Sequence, residues 1–224
     1  MSRKTGIIKD ERYLMHDAGF GHPESPQRLE ATHAILEAPD MAGQFVEIEP
    51  RYATHEEIAL IHSLSYINLV ASTAGQPFVS LDPDTATTPE SYDVAKLAVG
   101  GLCNAIDSVV SGEVENAFAL VRPPGHHAGV SNAAGFCIFN NVAIGAMHAI
   151  VKHKKDRILI VDWDLHHGNG TQAQFYDFSF SCLFIHIKYF SHNSIPGFSL
   201  YPDPPLVGRN SKTPYLKERP ALAR

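Results

Sequence analysis

Cysteine is scarce in this chain. Among 224 residues there are three, Cys103, Cys137 and Cys182, widely spaced and without a Cys-x-x-Cys pair. That argues against a disulfide framework and predicts free thiols in a reducing compartment. A basic stripe is missing as well. Eighteen Lys and Arg stand against 24 Asp and Glu, for a formal net charge of -6, so direct nucleic-acid binding through the phosphate backbone has no support. No long apolar region follows Met1-Ser-Arg-Lys-Thr-Gly6, so no signal peptide is expected. No apolar run is read as a membrane span, and no membrane partner is expected. Together these absences predict a cytoplasmic protein. Internal repeats and low-complexity linkers are absent too, and nothing in the sequence fixes an oligomeric state. With 44% hydrophobic and 19% charged residues, the chain can build a core and is not expected to be disordered over most of its length.

What is present alternates between strand and helix signals. Residues 5–8, 45–48, 118–121 and 158–162 are strand candidates. A helix runs through Leu29, Ile35 and Leu36, with Ser25 as its cap and Pro26 at its first position. Thr54 and Glu57 fit a capping box, and residues 63–74 continue as a further helix. A polar loop at 81–89 precedes a long helix at 90–110, whose Ala98, Gly100, Gly101 and Ala105 suit close packing on a sheet. Residues 140–151 form the next helix, which Asn140 and Asn141 can cap. This alternation predicts an α/β fold with a mostly parallel sheet, in which ligands bind at the carboxyl ends of the strands.

Two histidine-rich segments fall at such ends. Ile158-Leu-Ile-Val-Asp-Trp-Asp-Leu-His-His-Gly-Asn-Gly170 is an apolar strand ending in carboxylates and imidazoles. Asp162, Asp164 and His166 alternate, so continued strand geometry would put them on one face. Carboxylate plus imidazole is a donor set for a divalent ion such as zinc, which acidifies a water. The other segment, Arg122-Pro-Pro-Gly-His-His127, follows a strand with a stiff turn. Its imidazoles can take a proton and later give it to a leaving amine. Each needs a partner to fix its tautomer, and Asp162 and Asn169 are available polar groups. Phe136 can line a narrow apolar channel, whereas Phe139 reads as core.

Arg122-Pro-Pro-Gly-His-His-Ala128, Gly135-Phe-Cys-Ile-Phe-Asn-Asn141 and Asp162-Trp-Asp-Leu-His-His-Gly-Asn-Gly-Thr-Gln172 resemble the signature blocks of the histone deacetylase superfamily. That group includes acetylpolyamine amidohydrolases and acetoin-utilisation proteins. His22-Pro-Glu-Ser-Pro-Gln-Arg28 resembles its N-terminal block, and Asn169 with the following Gly-Thr-Gln resembles the class II branch. The resemblance implies an arginase/deacetylase-like parallel sheet flanked by helices and one catalytic Zn2+. It also leaves a place for a structural monovalent cation. It implies Asp164 and His166 as metal ligands, His127 as general base and acid, and His126 as its electrostatic neighbour. Asp162 then pairs with His126 and Asn169 with His127, while Gly135 and Phe136 wall the substrate tunnel. The implied reaction is zinc-dependent hydrolysis of the acetyl-amide of acetyl-lysine, in a histone or another protein, or of an acetylpolyamine. A metal amidohydrolase acting on a different small amide is a third reading.

The family's third zinc ligand, a downstream Asp, and its oxyanion Tyr have no clear match. Asp203 lies too close to Asp164, and Tyr215 is no stand-in. Counted from His166, the family's Ser and His of the next strand fall on Ile185 and Ile187. Residues 1–177 are therefore read as the N-terminal part of a deacetylase-like catalytic domain. Residues 178–224 are read as a tail unlike the family, arising from a frameshift or aberrant end that starts between residues 178 and 182. The expected consequences are a fold incomplete at its C-terminal side, an exposed sheet edge and weak zinc binding. The alternative reading is accordingly an inactive relative.

Overall fold

The structure, a computed structural model, describes residues 4–176 and the backbone of one further strand. In chain order the elements are β1 Thr5–Ile8, α1 Gln27–Leu36, β2 Phe45–Glu47, α2 His55–Ile58, α3 Leu64–Ala71, β3 Val79–Asp82, β4 Thr85–Thr87, α4 Ser91–Ser111, β5 Asn116–Ala119, α5 Asn141–Val151, β6 Ile158–Asp162, α6 Asn169–Phe175 and β7 Cys182–His186. Short 3-10 turns at Glu11–Met15 and Pro39–Met41 complete the set.

Strand β1 lies between β2 and β5, all parallel, with Thr5 opposite both Phe45 and Asn116. Strands β6 and β7 form a second parallel pair, Ile158 opposite Cys182 and Asp162 opposite His186. The expected parallel α/β architecture is thus what forms. The apolar stretch 182–186, placed in the tail by the sequence reading, pairs with the strand that carries the acidic motif.

Three local expectations change. Residues 81–89 are not an open loop, because β3 and β4 form an antiparallel hairpin. Its Asp-Pro-Asp turn closes when Asp82 accepts the backbone N–H of Asp84 at 3.3 Å, as Asx turns do. No side chain caps α1. The helix instead enters through backbone bonds from Arg28 N to Ser25 O (3.2 Å) and from Leu29 N to Pro26 O (2.9 Å). Strand β5 starts two residues earlier than expected, since Asn116 and Ala117 already pair with Thr5 and Gly6. The Thr54 and Glu57 capping box is present, and Asn140 caps α5 by accepting the N–H of Ala143.

Helix α4 divides the core. Ala95, Val99 and Cys103, spaced by one turn, pack with α3, α5, Ile160 and Phe175. Val94, Leu97, Ala98 and Ala105 face β1, β2 and β5 with Ile7, Ile8, Tyr13 and Leu120. Apolar residues on two sides follow from burial on two sides. By length and hydropathy α4 does reach the composition of a membrane span, against the expectation that no apolar run is long enough. Here that composition serves a helix packed between two clusters.

Candidate active site

The loop after β5 is anchored by a buried ion pair. Arg122 gives Nε to Glu24 Oε1 (2.6 Å) and Nη2 to Glu24 Oε2 (2.7 Å). It also donates to the carbonyls of Tyr13 (3.0 Å) and His16 (2.9 Å). The planar guanidinium fork suits this four-way tie. Two prolines follow, the first after a cis peptide bond, and they deliver His126 and His127 to the site.

The end of β6 meets them from the other side. The strand stops at Asp162, so the alternation of Asp162, Asp164 and His166 is not carried by strand geometry. Two successive turns carry it: Asp162 Oδ1 accepts the N–H of Asp164 (3.1 Å), and Asp164 Oδ1 accepts that of His166 (2.7 Å). Each carboxylate captures the backbone two residues on, which competes with the ladder. Trp163 and Leu165, between them, are exposed.

All eight residues singled out from the sequence gather in this region. His126 Nδ1 lies 2.9 Å from Asp162 Oδ2. His127 Nδ1 lies 2.6 Å from Asn169 Oδ1. The two rings are 4.0 Å apart by centroid, and His166 is 6.2 Å from His127. Gly168 is needed here, because a Cβ would run into Asp162 Oδ2 and crowd His126 Nδ1. Gly135 has φ +55 and lies against the His127 ring, a backbone that L side chains rarely adopt.

Several contributors escaped the sequence reading. Asp84 Oδ1 accepts the N–H of Gly135 (3.0 Å) and Thr85 Oγ1 that of Phe136 (2.9 Å). These bonds hold Phe136 at φ +68, with its ring edge-on to His22 at 4.6 Å. Burial opposes ionisation of Asp84, but hydrogen bonds from Thr85, Gly135 and Phe136 hold its carboxyl below the ordinary value. No local signal marks this clamp, because 51 residues separate its halves. Asn140 is the second contributor. Its side chain donates to Ala128 O (3.1 Å) and accepts from Thr171 Oγ1 (3.2 Å), and its backbone N–H donates to His62 Nε2 (2.9 Å). It thereby ties the histidine loop to α5 and α6. A cleft of about 260 Å³ opens beside the dyad, lined by Pro124, His126, Val142, Asp162, Asp164 and Thr171 among others.

Asp164 and His166 suit a zinc ion as two of its ligands. Asp164 Oδ1 and His166 Nδ1 are 3.2 Å apart, close to the ~3.3 Å separation of two donors on one tetrahedral ion. Their side chains are 52% and 71% exposed, against 13% for Asp162 and 18% for His126, so an ion and a substrate can reach them. Among the described residues, the groups of three metal-capable side chains lie elsewhere.

The paired-histidine loop and the acidic strand end meet at one end of a parallel α/β sheet, an arrangement that places the chain in the deacetylase fold class. Residues 22–210 match the histone deacetylase domain, and the chain belongs to that family. Histone deacetylase 15 of Arabidopsis thaliana is 40% identical over 176 residues, 76% of this chain and 32% of that protein. Polyamine deacetylase HDAC10 of Danio rerio is 40% identical over 185 residues, 78% of this chain and 27% of that one. The solved HD domain of HDA15 matches with a TM-score of 0.79 and 38% identity, covering 83% of this chain and 54% of the other. The expected deacetylase fold is therefore the one present. The chain spans from 24% to 56% of the length of the curated relatives it matches. The family match runs past residue 178, where the sequence reading set the tail apart. Asp203, Tyr215 and, apart from β7, the rest of that tail lie outside the described residues.

Proposed function

We propose that this chain carries the histidine dyad of a zinc-dependent deacetylase of class II type, acting on acetylated lysine or an acetylpolyamine. One observation carries the reading: neighbouring imidazoles hold chemically different partners, a carboxylate on His126 and an amide on His127. The amide oxygen of Asn169 only accepts, so Nδ1 of His127 keeps its proton and Nε2 keeps its lone pair. His127 can then take a proton from water and return it to the leaving amine. Asp162 holds Nδ1 of His126 and orients that ring beside the base, as an electrostatic neighbour. Phe136 offers an apolar wall to an acyl chain. Asp164 and His166 would hold the zinc, which supplies Lewis acidity toward a carbonyl oxygen and toward water. The relatives' names support both substrate classes, protein lysine and polyamine.

A second reading is favoured by the donor count. The sequence has no clear match for the family's third zinc ligand, which suits an inactive relative that binds acyl-lysine without turnover. One assay separates the two. The purified chain is incubated with zinc and either an acetyl-lysine peptide or an acetylpolyamine, beside His127→Ala. Turnover lost in the variant supports the deacetylase. Turnover equal in both overturns the role of His127, and turnover in neither leaves the inactive relative.

A further inference from the structure

A second cluster of metal-capable side chains lies away from the dyad, where α4 packs against the C-terminal end of α5. Asp107 Oδ1 accepts from Nε2 of His148 at 2.7 Å and from Nε2 of His153 at 2.5 Å. The other oxygen, Oδ2, takes Lys152 Nζ at 2.7 Å. The two imidazole rings are 5.5 Å apart and inclined at 69°, so they approach one carboxylate oxygen from different directions. The three donor atoms lie within 4.8 Å of one another. His148 is buried, while Asp107 and His153 keep 27% and 19% of their side chains exposed. Solvent, and therefore an ion, has access from the His153 side.

We propose that Asp107, His148 and His153 form a divalent transition-metal site that pins the end of α5 to α4. Two N–H groups now aim at one oxygen. An ion replacing those two protons would draw on two imidazole nitrogens and that oxygen once the 2.5 and 2.7 Å contacts open to about 3.3 Å, with water completing the shell. Imidazole with carboxylate selects zinc, nickel or copper over magnesium or calcium. Lys152 stays on the oxygen that faces away from the ion and fixes the carboxylate, as outer partners of metal ligands do. Burial opposes ionisation of Asp107, but hydrogen bonds from Lys152, His153 and His148 hold its carboxyl far below the ordinary range, so the ligand is already an anion. A second donor group adds to the first. Cys103, one turn earlier on α4, and Glu57 group with the same imidazole, Glu57 Oε1 being 3.6 Å from His148 Nδ1. The site is separate from Asp164 and His166. Asn140, which ties the dyad loop, caps the opposite end of α5, about 16 Å along the helix.

Cobalt(II) is the probe. The full chain carrying Asp164→Ala and His166→Ala is titrated, following visible absorption and heat. It takes up one equivalent. Adding His153→Gln, which keeps an N–H for Asp107 but removes the imidazole, weakens that equivalent by about tenfold or more. Lys152→Ala, which removes an outer partner and no ligand, weakens it less than His153→Gln does. Metal-free melts and circular dichroism report whether each variant is folded, and His153→Ala serves the same comparison if the Gln side chain perturbs the melt. Cobalt bound equally with and without His153, or no cobalt bound by the Asp164→Ala, His166→Ala chain, overturns the proposal and leaves an ion-pair network only.

Discussion

His127 gives its Nδ1 proton to the amide oxygen of Asn169 across 2.6 Å. The adjoining imidazole, His126, faces a carboxylate at 2.9 Å instead. With ring centroids 4.0 Å apart, two imidazolium ions side by side would repel each other. The amide on one ring and the carboxylate on the other give the two imidazoles different surroundings, the division on which their proposed roles as base and electrostatic helper rest.

Exchanging that amide for a carboxylate should erase the division. Asn169→Asp places a negative charge on His127 and favours its protonated form. The base is then restored only at higher pH, so the acid limb of the rate profile moves up by about one pH unit or more. Turnover at neutral pH falls. The check is kcat/KM against pH for both chains, and an unmoved acid limb would show that His127 is not the titrating base.

Thr85→Val tests the clamp on Phe136, the proposed wall of the substrate tunnel. Valine keeps the shape but gives the N–H of Phe136 no acceptor, at a residue already at φ +68. The expected loss of stability is ~1–2 kcal/mol, read from the denaturant midpoint. Because the Phe136 ring is then less well held, KM for an acetylated substrate should rise more than kcat falls.

Arg122→Lys should be far more damaging. Glu24 and Arg122 have side chains only 1% and 6% exposed, and lysine cannot reproduce the fork. A buried carboxylate left short of partners costs ~3–5 kcal/mol, so soluble yield and unfolding midpoint both drop. The pair Arg122→Met, Glu24→Gln removes both charges and should regain part of that loss, which a double-mutant cycle measures.

The chemistry was readable because it is local in the chain. His126 and His127 are adjacent, and Asp162 to Asn169 is one short segment, so each half shows its chemistry, while the pairing of the halves across 36 and 42 positions came from the resemblance. The supporting contacts are not local. Arg122 finds Glu24 across 98 positions, His62 finds Asn140 across 78, and Asp84 finds Gly135 across 51. Each of these residues has an ordinary surface reading until the sheet closes. The hairpin β3–β4 was hidden for a different reason: Asp-Pro-Asp marks a turn, and the polar threonines on its return strand mask their burial. Strand β6 ends at Asp162 as expected, and only the alternation beyond it was credited to strand geometry where Asx turns carry it.

His62 gives the fold an acid limit. It is buried against Tyr66 and Phe139, at centroid distances of 5.4 and 5.3 Å. Burial lowers its pKa from 6.5 to about 4. The folded chain therefore binds fewer protons than the unfolded chain between about pH 4 and about pH 6.5. The stability this neutral ring contributes is complete above about pH 6.5 and is lost as pH falls toward about pH 4, ~3 kcal/mol in all. His16, also lowered to about 4 by burial, acts in the same direction. His62→Gln keeps an acceptor for the N–H of Asn140 but cannot titrate. Its denaturant midpoint should fall less than that of the parent between about pH 7 and about pH 5. Below that range the protonated His62 Nε2 can no longer accept from Asn140, which ties Ala128 and Thr171 to the dyad loop. Loss of turnover in acid should therefore accompany loss of stability in the parent, and be smaller in His62→Gln. Identical acid slopes in the two chains would place the acid limit elsewhere.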